Sequence, residues 1–124
     1  MIKVYLDTQY PKNLAEGLVL LHQMQIPEEI KIIRTSDFED ADANSVVFLF
    51  DRTKKGIDII TERHYEEGYK VFAFKSRLVA KVDIFQLSLS VLSLWPKILH
   101  TIHSEASPFV FTYKYSGNTL KKIK

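Results

Sequence analysis

Ile2, Val4 and Leu6 form a short β-pattern that stops at Asp7. Pro11 fits the first turn of a helix, where its missing N–H costs nothing. Leu14, Leu18 and Leu21 follow at i, i+4 and i+7 on one helical face. Gln25-Ile26-Pro27 breaks that pattern, and the β-branched run of Ile30, Ile32 and Ile33 predicts a second strand over about 30–34. Residues 36–45 are polar, with four acids between Asp37 and Asp42; Ser36 and Glu39 have capping-box spacing for a short helical turn, and the alternative is a plain polar connection. Residues 46–50 are apolar without alternation, as in a strand buried on both faces, and they end in Asp51.

Lys54-Lys55-Gly56 turns the chain, and residues 57–67 read as a helix with Ile57, Ile60 and His64 on one side and Gly68 as its C-terminal cap. Residues 70–74 are another dense strand, followed by a basic loop over 75–81. A long helix is predicted over 83–103 with Asp83 as N-cap. Phe85, Leu89 and Leu92 form one apolar stripe on it; Leu87, Val91, Leu94, Trp95, Ile98 and Ile102 form a second. So wide an arc predicts packing on two sides, and Pro96 should kink or divide the helix. Residues 109–115 alternate, with aromatics on one face, as in an edge strand; a basic tail begins at about 116. The order β-α-β-(acidic loop)-β-α-β-α-β implies one α/β domain over 1–124: a three-layer α/β/α arrangement with a mostly parallel central sheet and right-handed crossovers.

Composition narrows the function classes. With 124 residues, 46% hydrophobic and 26% charged, the chain is ordinary for one folded domain, and disorder is a poor reading. It contains no cysteine, so a disulfide framework, a thiolate metal site and a cysteine nucleophile are all excluded. The start is too short and charge-interrupted for a signal peptide, and the apolar stretch around 84–102 falls short of a membrane span. No membrane association and a cytoplasmic location are therefore expected. The net charge of +2 conceals an asymmetry: residues 1–69 hold 8 Lys/Arg against 13 Asp/Glu, whereas residues 70–124 hold 9 against 2. Such a split pairs an acidic site with a basic surface, or reflects a solvated lysine-rich tail.

In open α/β sheets the carboxyl ends of the strands form the lip where ligands bind. Asp7 and Asp51 end two such strands, with the acidic segment between them. Carboxylates gathered without cysteine suit a hard cation, Mg²⁺ or Mn²⁺, which activates water and neutralises phosphoryl charge. The competing reading is that strand-terminal aspartates form turns and caps. The basic half, including Lys75, Arg77, Lys81 and Lys114, fits a nucleic-acid backbone, and Tyr113 and Tyr115 are candidates to stack on bases unless they are packed strand residues. His100 and His103, at i and i+3, read as a surface pair, and His64 as a packed histidine. The glycines are scattered singly, with no phosphate-cradling loop.

The opening Tyr-Leu-Asp7-x-x-x-Pro11-x-x-Leu14-Ala15-x-x-Leu18 resembles the start of the small PIN-like proteins, relatives of VapC-type toxin nucleases. Val-Val-Phe-Leu-Phe-Asp51-Arg, the following helix, the Val-Phe-Ala-Phe strand, a long helix ending in Trp95-Pro96 and the last strand from Pro108 extend the likeness over nearly the whole chain. The resemblance implies a Mg²⁺- or Mn²⁺-dependent endoribonuclease, often the toxin of a toxin–antitoxin pair, with RNA as substrate and an antitoxin protein as partner. Asp7 matches the first catalytic acid and Asp51 the aspartate closing the later strand. Asp37, Glu39, Asp40 and Asp42 are candidate further ligands, and Asp58 is another. Two other readings stand beside it: a receiver-like module that accepts phosphate on Asp51, and a non-catalytic interaction protein that docks a partner or pairs as a homodimer through helix 83–103.

Overall fold

The computed structural model describes residues 1–38, 41–42, 44–76, 82–115 and 118–124. Six strands form one sheet: β1 (Ile2–Asp7), β2 (Ile30–Thr35), β3 (Val46–Asp51), β4 (Lys70–Lys75), β5 (Phe109–Tyr113) and β6 (Lys121–Lys122). Three helices connect them: α1 (Lys12–Gln25), α2 (Ile59–Glu66) and α3 (Ile84–Ser104). The strand order is β2-β1-β3-β4-β5-β6, with β1 to β5 parallel and β6 antiparallel at the edge. The chain is thus an α/β protein with a mostly parallel sheet. No helix among the described residues is long and apolar enough to cross a membrane.

The period of two sorts the strand side chains into two cores. On one face Val4, Leu6, Phe48, Phe72, Phe74 and Phe111 meet Leu14 and Leu18 of α1 and Leu87, Val91, Leu94 and Trp95 of α3. Aromatic rings run in a row across it: Phe48 stacks on Phe72 with centroids 5.2 Å apart, and Phe72 on Phe111 at 6.2 Å. On the other face Tyr5, Val47, Leu49, Val71, Ala73 and Val110 pack with Phe38, Tyr69 and Ile57. His64 of α2 meets the Phe38 and Tyr69 rings there. Every residue of β3 is buried, as its unbroken apolar run predicts.

This distribution sets the hand of the crossovers. β1-α1-β2 steps toward one edge of the sheet over the face that α1 covers. β4-α3-β5 steps toward the opposite edge over that same face. The two connections have opposite hands, so the expectation of uniformly right-handed crossovers is not met. The physical reason lies in packing: α2 already lies against β4 and β5 on the other face, and the buried stripe of α3 fits the phenylalanine row.

The helix termini follow from local chemistry. Asp83 caps α3 by accepting from Phe85 N at 2.9 Å and Gln86 N at 3.1 Å. Asp58 caps α2 by accepting from Thr61 N at 2.8 Å, and Gly68 takes φ +97° just past its end. Pro11 is the N-cap of α1 rather than its first helical residue. α3 continues through Pro96 as one helix. Its second stripe is buried, whereas Phe85 and Leu89 are exposed at 85% and 62%, so among the described residues α3 is packed on one side only. Ile60, expected beside His64 on the packed side of α2, is exposed. Residues 36–38, 41–42 and 44–45 form no helix, and Phe38 and Asn44 have positive φ.

The last strand departs from expectation in the other direction. β5 is fully buried and internal, because the segment after it folds back: Thr112 pairs with Lys121 and Phe111 with Lys122. Val110 N and Ile123 N close further hydrogen bonds across this pairing at 3.2 and 2.8 Å. Residues 121–124 of the basic tail are a sheet edge, not a free extension.

Candidate functional site

The sheet order reverses between β1 and β3: the connection leaving β1 runs to one side and that leaving β3 to the other. Such a switch point opens a crevice at the carboxyl ends of the two strands. Those ends are Asp7 and Asp51. Both lie on the face of the second core, since Tyr5 and Leu49, two residues earlier on each strand, belong to it. Leu6 is level with Phe48, so Asp51 stands two residues further out than Asp7. Strand spacing and rise place their Cα atoms roughly 8 Å apart.

The two aspartates have different surroundings. Asp7 is partly exposed, and its Oδ1 accepts from Gln9 N at 2.9 Å. Arg34, from β2, donates to the carbonyls of Thr8 at 2.6 Å and Tyr10 at 2.9 Å, which fixes the turn that follows Asp7. Behind it Tyr10 donates its hydroxyl proton to Leu49 O at 2.9 Å, so Tyr113 must donate the 2.6 Å bond between the two phenols. Burial, then the neighbouring Tyr113, pushes the Tyr10 phenol well above its usual range; Tyr113 is raised by burial too. Tyr113 is therefore a packed strand residue and not a base-stacking platform. The Tyr115 hydroxyl accepts from Asp83 N at 2.7 Å and its ring packs on Phe74.

Asp51 is fully buried. Oδ1 accepts from Thr53 N at 2.9 Å, from the Thr53 hydroxyl and from Lys75 Nζ at 2.9 Å; Oδ2 accepts from Asp58 N at 2.9 Å. Burial alone raises its carboxyl, and these hydrogen bonds outweigh it and hold the group below the usual carboxylate value. Lys75 Nζ also donates to Thr53 O at 3.3 Å and to Gly56 O. Gly56 sits at φ +69°, a turn conformation that L side chains rarely adopt. The Asp51–Lys75 pair thus pins both ends of the 52–58 loop. Lys75, expected to face RNA, is turned inward to this pair.

Of the other candidate metal ligands, Asp37 is exposed at the end of β2, where its carboxylate accepts from Thr35 Oγ1 at 3.1 Å. Asp42 is exposed, and Asp58 is engaged as the cap of α2. Glu39 and Asp40 lie outside the described residues, as do Arg77 and Lys81. Among the described residues no three His, Asp or Glu side chains converge to hold a metal ion. The oxygens of Asp51 are already directed at protein donors in this conformation, which leaves Asp7 as the strand-terminal carboxylate open to a cation. His103 is drawn to Glu28 at 2.7 Å, and His64 bonds Ile60 O at 2.7 Å as a packed histidine.

Beside Asp51 the structure opens a cleft of about 620 Å³ at the carboxyl ends of β3 to β5. Lys54, Lys55, Lys75, Lys114 and Lys121 line it, together with Thr112. Lys75 is neutralised by Asp51, but Lys54, Lys55, Lys114 and Lys121 are exposed and meet no carboxylate among the described residues. Lys114 was expected on this surface. Lys54 and Lys55 read from the sequence only as a turn; the signal was their adjacency to Asp51 at the sheet lip, where loops carry binding groups. No protein-family model matches the sequence, and comparison with curated proteins and with solved structures finds no match.

Proposed function

We propose that this protein is an RNA-binding member of the PIN-like nucleases in a three-layer α/β/α arrangement, and that RNA phosphates occupy the lysine-lined cleft. The observation that supports this reading is four exposed lysines, without a carboxylate partner among the described residues, gathered around one concave site at the sheet lip. Lysine surfaces of this kind bind phosphodiester backbones by releasing counterions. Asp7, the partly exposed carboxylate at the switch point, is the residue assigned to cleavage; Asp51 orients the 52–58 loop that carries Lys54 and Lys55.

Fluorescence anisotropy with a labelled single-stranded RNA tests the reading. Wild type should bind at low salt and the Lys54→Ala/Lys55→Ala protein should bind at least tenfold more weakly; absence of wild-type binding overturns it. The same RNA incubated with Mn²⁺ and resolved on a denaturing gel should be cut by wild type and left intact by Asp7→Asn. Cutting undiminished in Asp7→Asn removes Asp7 from the proposal.

The strand order favours a second reading, since 2-1-3-4-5 is also the order of receiver-like domains with an aspartate ending the third strand. A phosphoacceptor needs an oxygen free to attack, and Asp51 is buried among donors. An acid-labile adduct on Asp51 after treatment with acetyl phosphate would establish the receiver reading in place of the first.

A further inference from the structure

We propose that the lysine cleft is a seat for a terminal phosphate, a phosphomonoester or longer phosphate chain, rather than a track for the interior of a strand. The proposal rests on the reading that phosphates occupy this cleft. Three observations carry it. First, charge density: Lys54, Lys55, Lys114 and Lys121 line one cavity, and none of them pairs with a carboxylate among the described residues. An interior phosphodiester carries a single negative charge, whereas a phosphomonoester carries about 1.5–2 at neutral pH. Four cations on one site match an end group better than a link in a chain.

Second, Thr112 lines the same cleft although it is 96% buried, at 4% exposure, and its hydroxyl has no hydrogen-bond partner among the described residues. Its hydroxyl is not closed off from solvent, and a phosphate oxygen entering the cleft would accept from it. At 4% exposure the residue is less accessible than the exposed lysines around it, so a backbone resting on those lysines alone would not engage it. Third, the cleft is walled on one side. β6 pairs with β5 at Thr112 and Lys121, and Ile123 packs into the second core beyond it. A strand end can enter such a site; a continuous strand has to pass over the wall.

The test compares one RNA sequence with a 5′-phosphate, with a 3′-phosphate and with hydroxyl ends, and titrates adenosine monophosphate and pyrophosphate directly by calorimetry. One phosphorylated RNA should bind about tenfold more tightly than the hydroxyl-ended RNA. Thr112→Val should reduce that preference to about unity. Lys121→Ala, at an exposed position, should reduce it as well. Pyrophosphate or adenosine monophosphate competing as well as the phosphorylated RNA would identify a free phosphate compound as the source of the group; competition by RNA ends alone would identify RNA. Equal affinity for all three RNAs, with no calorimetric binding of pyrophosphate, overturns the seat. Pyrophosphate binding without any RNA binding overturns the RNA reading and leaves the seat standing.

Discussion

Lys75 Nζ lies 2.9 Å from Asp51 Oδ1, with the lysine side chain 11% exposed and the aspartate fully buried. The two residues are direct register partners on β3 and β4, so the sheet itself brings them together. Their contact decides the geometry of the loop that bears Lys54 and Lys55.

Removing one member of this pair strands a buried charge. Lys75→Met should lower stability by about 3–5 kcal/mol, read from urea unfolding. The pair also sets an acid limit. The Asp51 carboxyl lies below its unfolded value of 3.8, so its stabilisation is full above that pH and is lost as pH falls through the lower folded value. Thermal melts of wild type from pH 6 to pH 2 should show this loss, and Asp51→Asn should remove that part of the pH dependence.

Tyr10 and Tyr113 join the turn after β1 to β5 across 103 residues of chain. Tyr10→Phe leaves the Leu49 carbonyl without its donor and the Tyr113 hydroxyl without its acceptor, at a cost of about 1–3 kcal/mol. A double-mutant cycle with Tyr113→Phe should show a coupling energy above 0.5 kcal/mol, since the phenols share one network. Both phenols have raised pKa values, so their stabilisation is full below pH 10 and is lost as pH rises through the folded values. Ultraviolet titration should show these two tyrosines ionising last.

Trp95 is the single tryptophan and is 5% exposed. Its indole N–H donates to His22 Nδ1 at 3.1 Å, which assigns the His22 proton to Nε2, donating to Glu28 O at 2.7 Å. Trp95→Phe should cost about 1–3 kcal/mol by leaving a buried acceptor without its donor. In wild type, tryptophan emission should report α1–α3 separation directly during unfolding.

Salt dependence measures how many lysines meet phosphate. For single-stranded RNA each contact contributes about 0.7 to the slope of log affinity against log salt. Lys54→Ala/Lys55→Ala should shallow that slope by about 1.4. An unchanged slope with weaker binding would mean that these lysines act through the fold and not on phosphate.

Most elements were legible in the sequence because each is specified by neighbours in the chain. The β1 pattern with its end at Asp7, the unbroken β3 run, the Asp83 cap and the Gly68 terminus all depend on residues within a turn or a strand length. Legibility stopped where a residue's partner lies far away. The alternation from Phe109 to Tyr115 suggested an edge strand, since nothing local reveals that residues 121–122 return to pair with it. Asp51 and Lys75 read as a ligand and an RNA contact because each carries the right charge at a sheet lip. Their pairing is visible only once β3 and β4 are known to be neighbours in register.

The sequence by itself determined the α/β class, the helix ends at Asp83 and Gly68 and the separation of acidic and basic halves, because period, cap chemistry and charge are local properties. Tertiary structure alone decided the strand order, the shared face of α1 and α3 and the inward turn of Lys75. It alone also gathered Lys54, Lys55, Lys114 and Lys121 from three separate segments around Thr112. These outcomes depend on which buried surfaces fit one another, a condition that no stretch of chain encodes on its own.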